Sequence, residues 1–176
     1  MKTKSLLFGL IAVAASFTFG SCKKNNDAPA NSFTYDSQSY QTPYAAGSGE
    51  ASAGAEYSDL MFFSLNPLQL ASSSKVSIAM IEFANYPVAA GTYTFKDFSD
   101  ASFDKTKNFS SANFGINMDI KNGTWDDTSG SQLNEGDLTA GTITVAKSGD
   151  VYTITYNLTY KSGAVSGQYN GKISGL

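Results

Sequence analysis

The sequence predicts an all-β fold: a single antiparallel meander of roughly eight to ten strands, closed as an up-and-down barrel, with a two-layer β-sandwich as the alternative. Three observations carry this. Runs of alternating apolar and polar residues, the period of a strand with one wet face, recur along the chain between turns rich in Gly, Asn and Ser. Aromatic residues make up 13% of the chain and charged residues 15%, with 16 glycines, a composition that suits secreted β domains better than disordered chains. Beyond the N-terminal segment no helical period appears, and the last strands follow one another through hairpin turns, which is meander order.

The chain begins with Lys2 and Lys4, followed by the uncharged run Leu6 to Phe19 and then Gly20 and Ser21 before Cys22, its only cysteine. A positive start, a short apolar stretch and a small-residue cleavage site are the three parts of a secretory signal. The run falls short of the about 20 apolar residues that a spanning helix needs. Residues 1–21 are therefore expected to be a signal peptide with Cys22 as the mature N-terminus. Residues 22–31, from Lys23-Lys24-Asn25-Asn26-Asp27 through Pro29 to Asn31, are polar without an apolar period and read as a flexible tether. Residues 32–176 read as the β domain. Gly20-Ser21-Cys22 resembles the lipobox of bacterial lipoproteins, with Phe19 where that family usually has Leu. The resemblance implies a cysteine diacylated on sulfur, cleaved, and then acylated on nitrogen. The layout of short signal, cysteine, polar tether and Tyr- and Gly-rich domain resembles small lipoproteins of the Bacteroidota outer membrane. That resemblance implies a lipid-anchored outer-membrane protein. Lys23 and Lys24 stand where surface-exported members tend to carry acids, so periplasmic and surface-facing orientations both stay open.

Within the domain, Phe33 and Tyr35 alternate with polar neighbours, Asp36-Ser37-Gln38-Ser39 has turn chemistry, and Tyr40, Thr42 and Tyr44 resume a second short strand. Ala45 to Gly54 reads as a loop of small residues. Tyr57 to Leu65 then places Leu60 and Phe62 on one side and Met61, Phe63 and Leu65 on the other. Both faces are apolar, so this strand is central or lines a cavity; Pro67 ends it. Lys75 to Phe83 follows, with Val76, Ile78, Met80 and Glu82 on one face. Ala90-Gly91-Thr92-Tyr93 and Ala140-Gly141-Thr142-Ile143 are two similar strand starts, too few copies for a repeat architecture. Between them, Lys96 to Ser111 is a charged, Phe-punctuated loop. Phe114, Ile116, Met118 and Ile120 then alternate with Gly115, Asn117, Asp119 and Lys121 as a strand with one wet face.

The C-terminal third predicts strands at Thr142 to Ala146, Val151 to Tyr160 and Val165 to Ile173, joined by turns at Ser148-Gly149 and Lys161-Ser162-Gly163. Tyr152, Ile154, Tyr156, Leu158 and Tyr160 share the inner face. Gly167 and Gly171 fall on that side too, where missing side chains let a strand coil or admit a large neighbour. So long an apolar face must close on itself or pack on a second sheet. The hairpin order favours closure and resembles the lipocalin-like lipoproteins. Outward positions are Thr, Ser, Asn and Lys, which disfavours a membrane-spanning barrel.

Composition narrows the function by exclusion. Every basic residue is lysine, and removing Lys2 and Lys4 leaves ten lysines against fifteen acids. Nucleic acid is not an expected partner, because its recognition leans on arginine forks and basic faces. Histidine is absent, which removes Ser-His-Asp and Cys-His catalysis and leaves any metal site to oxygen ligands. No cofactor is expected, and with Cys22 on lipid no disulfide is possible. Glu82 stands out: buried among apolar neighbours, its pKa would rise and it would serve as a general acid or ligand anchor. If its strand ends near Tyr86-Pro87, it lies on the wet rim, which is the preferred reading. Asn122-Gly123 opens a segment that gathers Trp125, Asp126, Asp127, Asn134, Glu135 and Asp137. Trp125 is a platform for a sugar face, and the acids and Asn134 are candidate calcium ligands. Yet DxDxDG spacing is absent, and Asp126 and Asp127 point apart if extended, so solvated loop charge is preferred. The expected function is a lipid-anchored, non-catalytic binding or accessory module of the cell envelope for a small apolar ligand, a glycan or a partner protein. A structural or adhesive subunit ranks second. A glycoside hydrolase ranks third, since it needs two carboxylates about 5 to 9.5 Å apart and no spacing marks such a pair.

Overall fold

The computed structural model describes residues 31–52, 55–70 and 74–175. Cys22, the signal segment and most of the tether lie outside the described residues. The domain starts as a hairpin: β1 (Ser32–Tyr35) and β2 (Gln38–Gln41) pair across Asp36 and Ser37, whose φ angles of 48° and 62° are the left-handed geometry of a tight turn. β3 (Tyr44–Ser52), β4 (Ala55–Phe63) and β5 (Lys75–Phe83) follow as successive antiparallel neighbours. Next come β6 (Gly91–Phe95), β7 (Asn108–Phe109), β8 (Ser111–Lys121), β9 (Thr124–Trp125), β10 (Ser131–Leu133) and a 3-10 turn at Glu135–Asp137. The chain finishes in β11 (Leu138–Ser148), β12 (Val151–Tyr160) and β13 (Gly163–Lys172).

These strands form two sheets. One runs β2-β1-β13-β12-β11-β6-β7, and the other β10-β8-β5-β4-β3 with β9 added to β8. The first is strongly curled, like half a barrel, and the second is open. The all-β expectation holds, but the closed up-and-down barrel does not. Such a barrel needs each strand to pair with its successor all the way round. Here β6 leaves β5 and pairs with β11, with Tyr93 opposite Ile143, and β7 lies parallel to β6. The sheets touch edgewise where Ala46 bridges Ser174 and Gly47 N donates to Ser174 O at 2.7 Å.

Other expectations change as well: Tyr44 does not continue the strand of Tyr40 but opens β3 in the other sheet. The Ala45 to Gly54 loop is mostly strand: β3 pairs along β4 from Tyr44 opposite Phe63 to Ser52 opposite Ala55. Its small residues have little strand preference of their own, so the available edge of β4 decides. The strands also outnumber the eight to ten expected, because β7, β9 and β10 are two or three residues long, too short to show a period. Finally, β8 does not keep one wet face. Val76 pairs with Met118 but Ile78 pairs with Gly115, so β8 carries one extra residue there, and Asn117 sits at φ 52°. This bulge switches the facing. Phe114 and Ile116 join the core between the sheets, whereas Met118 and Ile120 join a second cluster with Phe63, Val76 and Ile78.

The main core draws on both sheets: Phe33, Tyr152, Ile154 and Tyr156 from the first meet Leu60, Phe62, Ile81, Phe83 and Phe114 from the second. The C-terminal meander has the predicted facing, with buried and exposed residues alternating along all of β12. Tyr156 stands opposite Gly167, where an added Cβ would come within 2.4 Å of its ring. Gly167 therefore makes room for a large neighbour, as its inner-face position implied. The space between the sheets is filled by such rings: Phe114 lies 5.9 Å from Tyr156 and 6.1 Å from Tyr160. The tyrosine-rich face is thus packed core.

Candidate functional site

The outer face of the open sheet changes character along its length. Near the start of β4 it is polar. Glu82, flanked in sequence by the buried Ile81 and Phe83, points outward and is exposed. In register it stands between Asp59 on β4 and Ser111 on β8. Ser111 Oγ donates to Glu135 Oε2 at 2.6 Å, and Glu135 N donates to Asn113 Oδ1 at 2.8 Å. Partial burial and then the charges of Asp59 and Glu135 push the Glu82 pKa above the usual carboxylate value. Each effect disfavours another negative charge at that spot.

A loop leans over this carboxylate. Between β6 and β7 the sequence repeats Asp-x-Ser/Thr at Asp97, Asp100 and Asp104. Each Asp Oδ1 accepts both the backbone N–H and the hydroxyl two residues on: Ser99 at 2.8 and 2.6 Å, Ser102 at 2.8 and 2.7 Å, Thr106 at 2.9 and 2.7 Å. These Asx-type turns fix the loop locally. The same bonds hold all three carboxyls below their ordinary pKa, Asp104 at about 2 with Lys107 adding to the effect. The loop presents Phe98, 69% exposed, with its ring 5.1 Å from that of Phe103. Two hollows of about 510 and 490 Å³ meet around Phe98 and Glu82. Tyr57 and Phe103 line the first, whose far wall holds the Lys105–Glu56 ion pair at 2.6 Å. Ser111, Glu135 and Asp97 line the second.

Trp125 lies at the other end of the sheet, packed 6.3 Å from Phe63. It borders an apolar groove of about 530 Å³ with Tyr44, Met61, Leu68 and Lys172. The proposed calcium ligands are held apart by partners of their own. Asp126 is paired with Lys121 and accepts from Thr128 at 3.0 and 2.6 Å, which sets its pKa at about 2. Asp137 pairs with Lys161 at 2.9 Å, and Glu135 is taken by Ser111. Asn134 and Asp127 line a smaller hollow of about 200 Å³ with Trp125. Among the described residues no group of three or more acidic side chains is placed to hold a metal.

Glu82 and Trp125, both candidates from sequence, therefore lie on one face but at opposite ends. Glu135 joins Glu82, not Trp125. Sequence reasoning missed Phe98, Phe103 and Asp59; the Asp-x-Ser/Thr repeat was the available sign that the loop is built. No helix among the described residues is long and apolar enough to cross a membrane. A scan of protein-family models finds no match to this chain, and searches of curated proteins and of solved structures find none either.

Proposed function

We propose that this protein is a lipid-anchored module of the outer membrane that binds a glycan without turning it over, on a sandwich-like scaffold, through the trough around Phe98 and Glu82. The observation that carries this reading is the exposed Phe98, held by a self-bonded loop above a carboxylate row with a hollow on either side. A sugar ring matches such a surface, since its C–H face stacks on an aromatic ring while its hydroxyls donate to carboxylates. Ligand sites generally combine apolar walls with a few placed polar groups in this way. The test is a glycan panel against the full-length protein in detergent, followed by titration of any sugar retained. Phe98→Ala and Glu82→Gln should each weaken binding at least about tenfold, a loss of roughly 1.4 kcal/mol, with the Phe98→Ala protein still folded. Binding that survives both substitutions, or no binding across the panel, rejects the reading.

One observation favours a second reading. Glu82, whose pKa is raised by partial burial and then by Asp59 and Glu135, has the environment of a general acid, one of the two carboxyl roles in glycoside hydrolysis. Release of reducing ends by the wild type, abolished in Glu82→Gln, would move the protein into that class.

A further inference from the structure

The two ends of the domain are chemically unlike, and the tether joins one of them. Asn31 O accepts Thr42 N at 2.7 Å, Asn170 N donates to Asn31 Oδ1 at 2.8 Å, and Asn31 Nδ2 donates to Asn170 O at 3.2 Å. Thr42 leads directly into Pro43 and Tyr44, and Asn170 follows Tyr169. Pro43, Tyr44 and Tyr169 all line the apolar groove of Trp125. The groove therefore opens beside the point where the chain enters the domain. Among the described residues the exposed large hydrophobic side chains are Tyr44 (42%), Leu68 (91%), Phe98 and Val151. Phe98 belongs to the trough. Tyr44 and Leu68 line this groove, and Val151 pairs with Lys172 on its rim.

Charge divides in the same way. At the tether end Asp119, Asp126 and Asp150 are each ion-paired to a lysine, Lys75, Lys121 and Lys172 respectively. At the other end Asp59 and Glu82 face each other in the sheet register and Glu135 joins them through Ser111; among the described residues none of these three is ion-paired, although Lys105–Glu56, Lys107–Asp104 and Lys161–Asp137 pair around them. An anionic bilayer repels an acidic surface within a screening length of about 8 Å and accepts a charge-balanced one. The tether limits the choice further. Residues 22–30 span at most about 30 Å when extended, and β12 alone is about 34 Å long at the strand rise, so the end that carries Asn31 stays nearest the anchor.

We infer that the groove of Tyr44, Leu68 and Trp125 seats on the interfacial layer of the bilayer that holds Cys22, with Lys172 among the lipid phosphates. The inference rests on the anchored reading above. Aromatic side chains suit the headgroup level because one part is apolar and the other polar. Lysine lays its stem on apolar surface while its ammonium reaches the phosphates. Seated this way, the protein holds the Phe98–Glu82 trough away from the membrane, toward soluble or cell-wall glycans.

The chain has a single tryptophan, so its emission reports on this end of the outer face, and Leu68 ties the signal to the groove. The full-length lipoprotein is reconstituted into vesicles of phosphatidylcholine and phosphatidylglycerol with or without brominated acyl chains, and flotation is recorded alongside fluorescence. The expected result is flotation with Trp125 emission at least halved by the brominated lipid, and quenching reduced by half or more in Leu68→Asp, which still floats. Flotation without quenching overturns the docking and leaves the anchor standing. Quenching unchanged in Leu68→Asp overturns it as well, as does a cross-linked dimer that shields Trp125 from bromine. Failure to float removes the anchor and the docking with it.

Discussion

Glu82 owes its chemistry to residues far from it in sequence. Its facing was legible, since Val76, Ile78 and Met80 alternate up to it, and it does lie outward on that face. The carboxylates that add to the effect of its partial burial were not, because Asp59 and Glu135 arrive through strand register and a 3-10 turn, neither of which leaves a period in the sequence. The wet-rim reading describes its exposure, yet partial burial and then the charges of Asp59 and Glu135 raise its pKa. A carboxyl that protonates more readily folded than unfolded contributes stability that is full below the unfolded pKa and is lost as pH rises through the folded one. Glu82→Gln should therefore raise the melting temperature at neutral pH, and the gain should vanish below about pH 4, the ordinary carboxylate range. Asp97, Asp100, Asp104 and Asp126 act in the opposite sense: their lowered pKa values contribute stability above that range and lose it as pH falls through the folded values, about 2 for Asp104 and Asp126. Melting curves across this window, wild type against Glu82→Gln, check both signs. A variant less stable than wild type at neutral pH would contradict the crowding of carboxylates around position 82.

At the scale of elements, legibility followed the strength of the local pattern. β12 is readable because five inner residues alternate with exposed ones without a break. β3 is not, since Tyr44-Ala45-Ala46-Gly47-Ser48-Gly49 has no strand signature and pairs because β4 offers an edge. The β8 bulge was likewise invisible, as Asn117 alternates correctly in sequence and only its pairing with β5 shows the extra residue. Reading Phe114, Ile116, Met118 and Ile120 as one face hid the second apolar cluster that supports Trp125. The β12 alternation gives a direct test. Ile154 and Leu158 are 0% and 2% exposed in the core, whereas Thr153 and Thr155 face solvent. Ile154→Asp or Leu158→Asp buries an unpaired charge at a cost of several kcal/mol, against a total stability of about 5 to 15 kcal/mol, and should abolish the folded β signal. Thr153→Asp and Thr155→Asp should melt within a few degrees of wild type. Equal loss in both sets, measured by circular dichroism, would contradict the facing.

For the whole molecule, the arrangement of the sheets depends on where the chain changes layer. Each strand signal is local, so the sequence supported both a ring and two layers. The crossing from β5 to β6 decides against the ring by taking Gly91–Phe95 to the edge of β11. Without a ring, the proposed recognition falls to the outer face of the open sheet, and the proposed anchor would set how that face is presented. Cys22 has no second thiol for a disulfide and no histidine for a catalytic pair, so lipidation is the use that fits its position after Gly20-Ser21. One acyl chain gives marginal, reversible membrane binding, whereas several make it stable. A triacylated Cys22 would hold an otherwise water-facing domain in the membrane fraction. Cys22→Ser should block acylation and lipoprotein-type cleavage, leaving a larger precursor or, after another peptidase, a soluble form. The domain lies wholly downstream and should melt as wild type does. Intact mass and fractionation of both proteins check this. A wild-type chain that is soluble and carries an unmodified Cys22 would remove the anchor, and with it the reason for one end of the domain to face a bilayer.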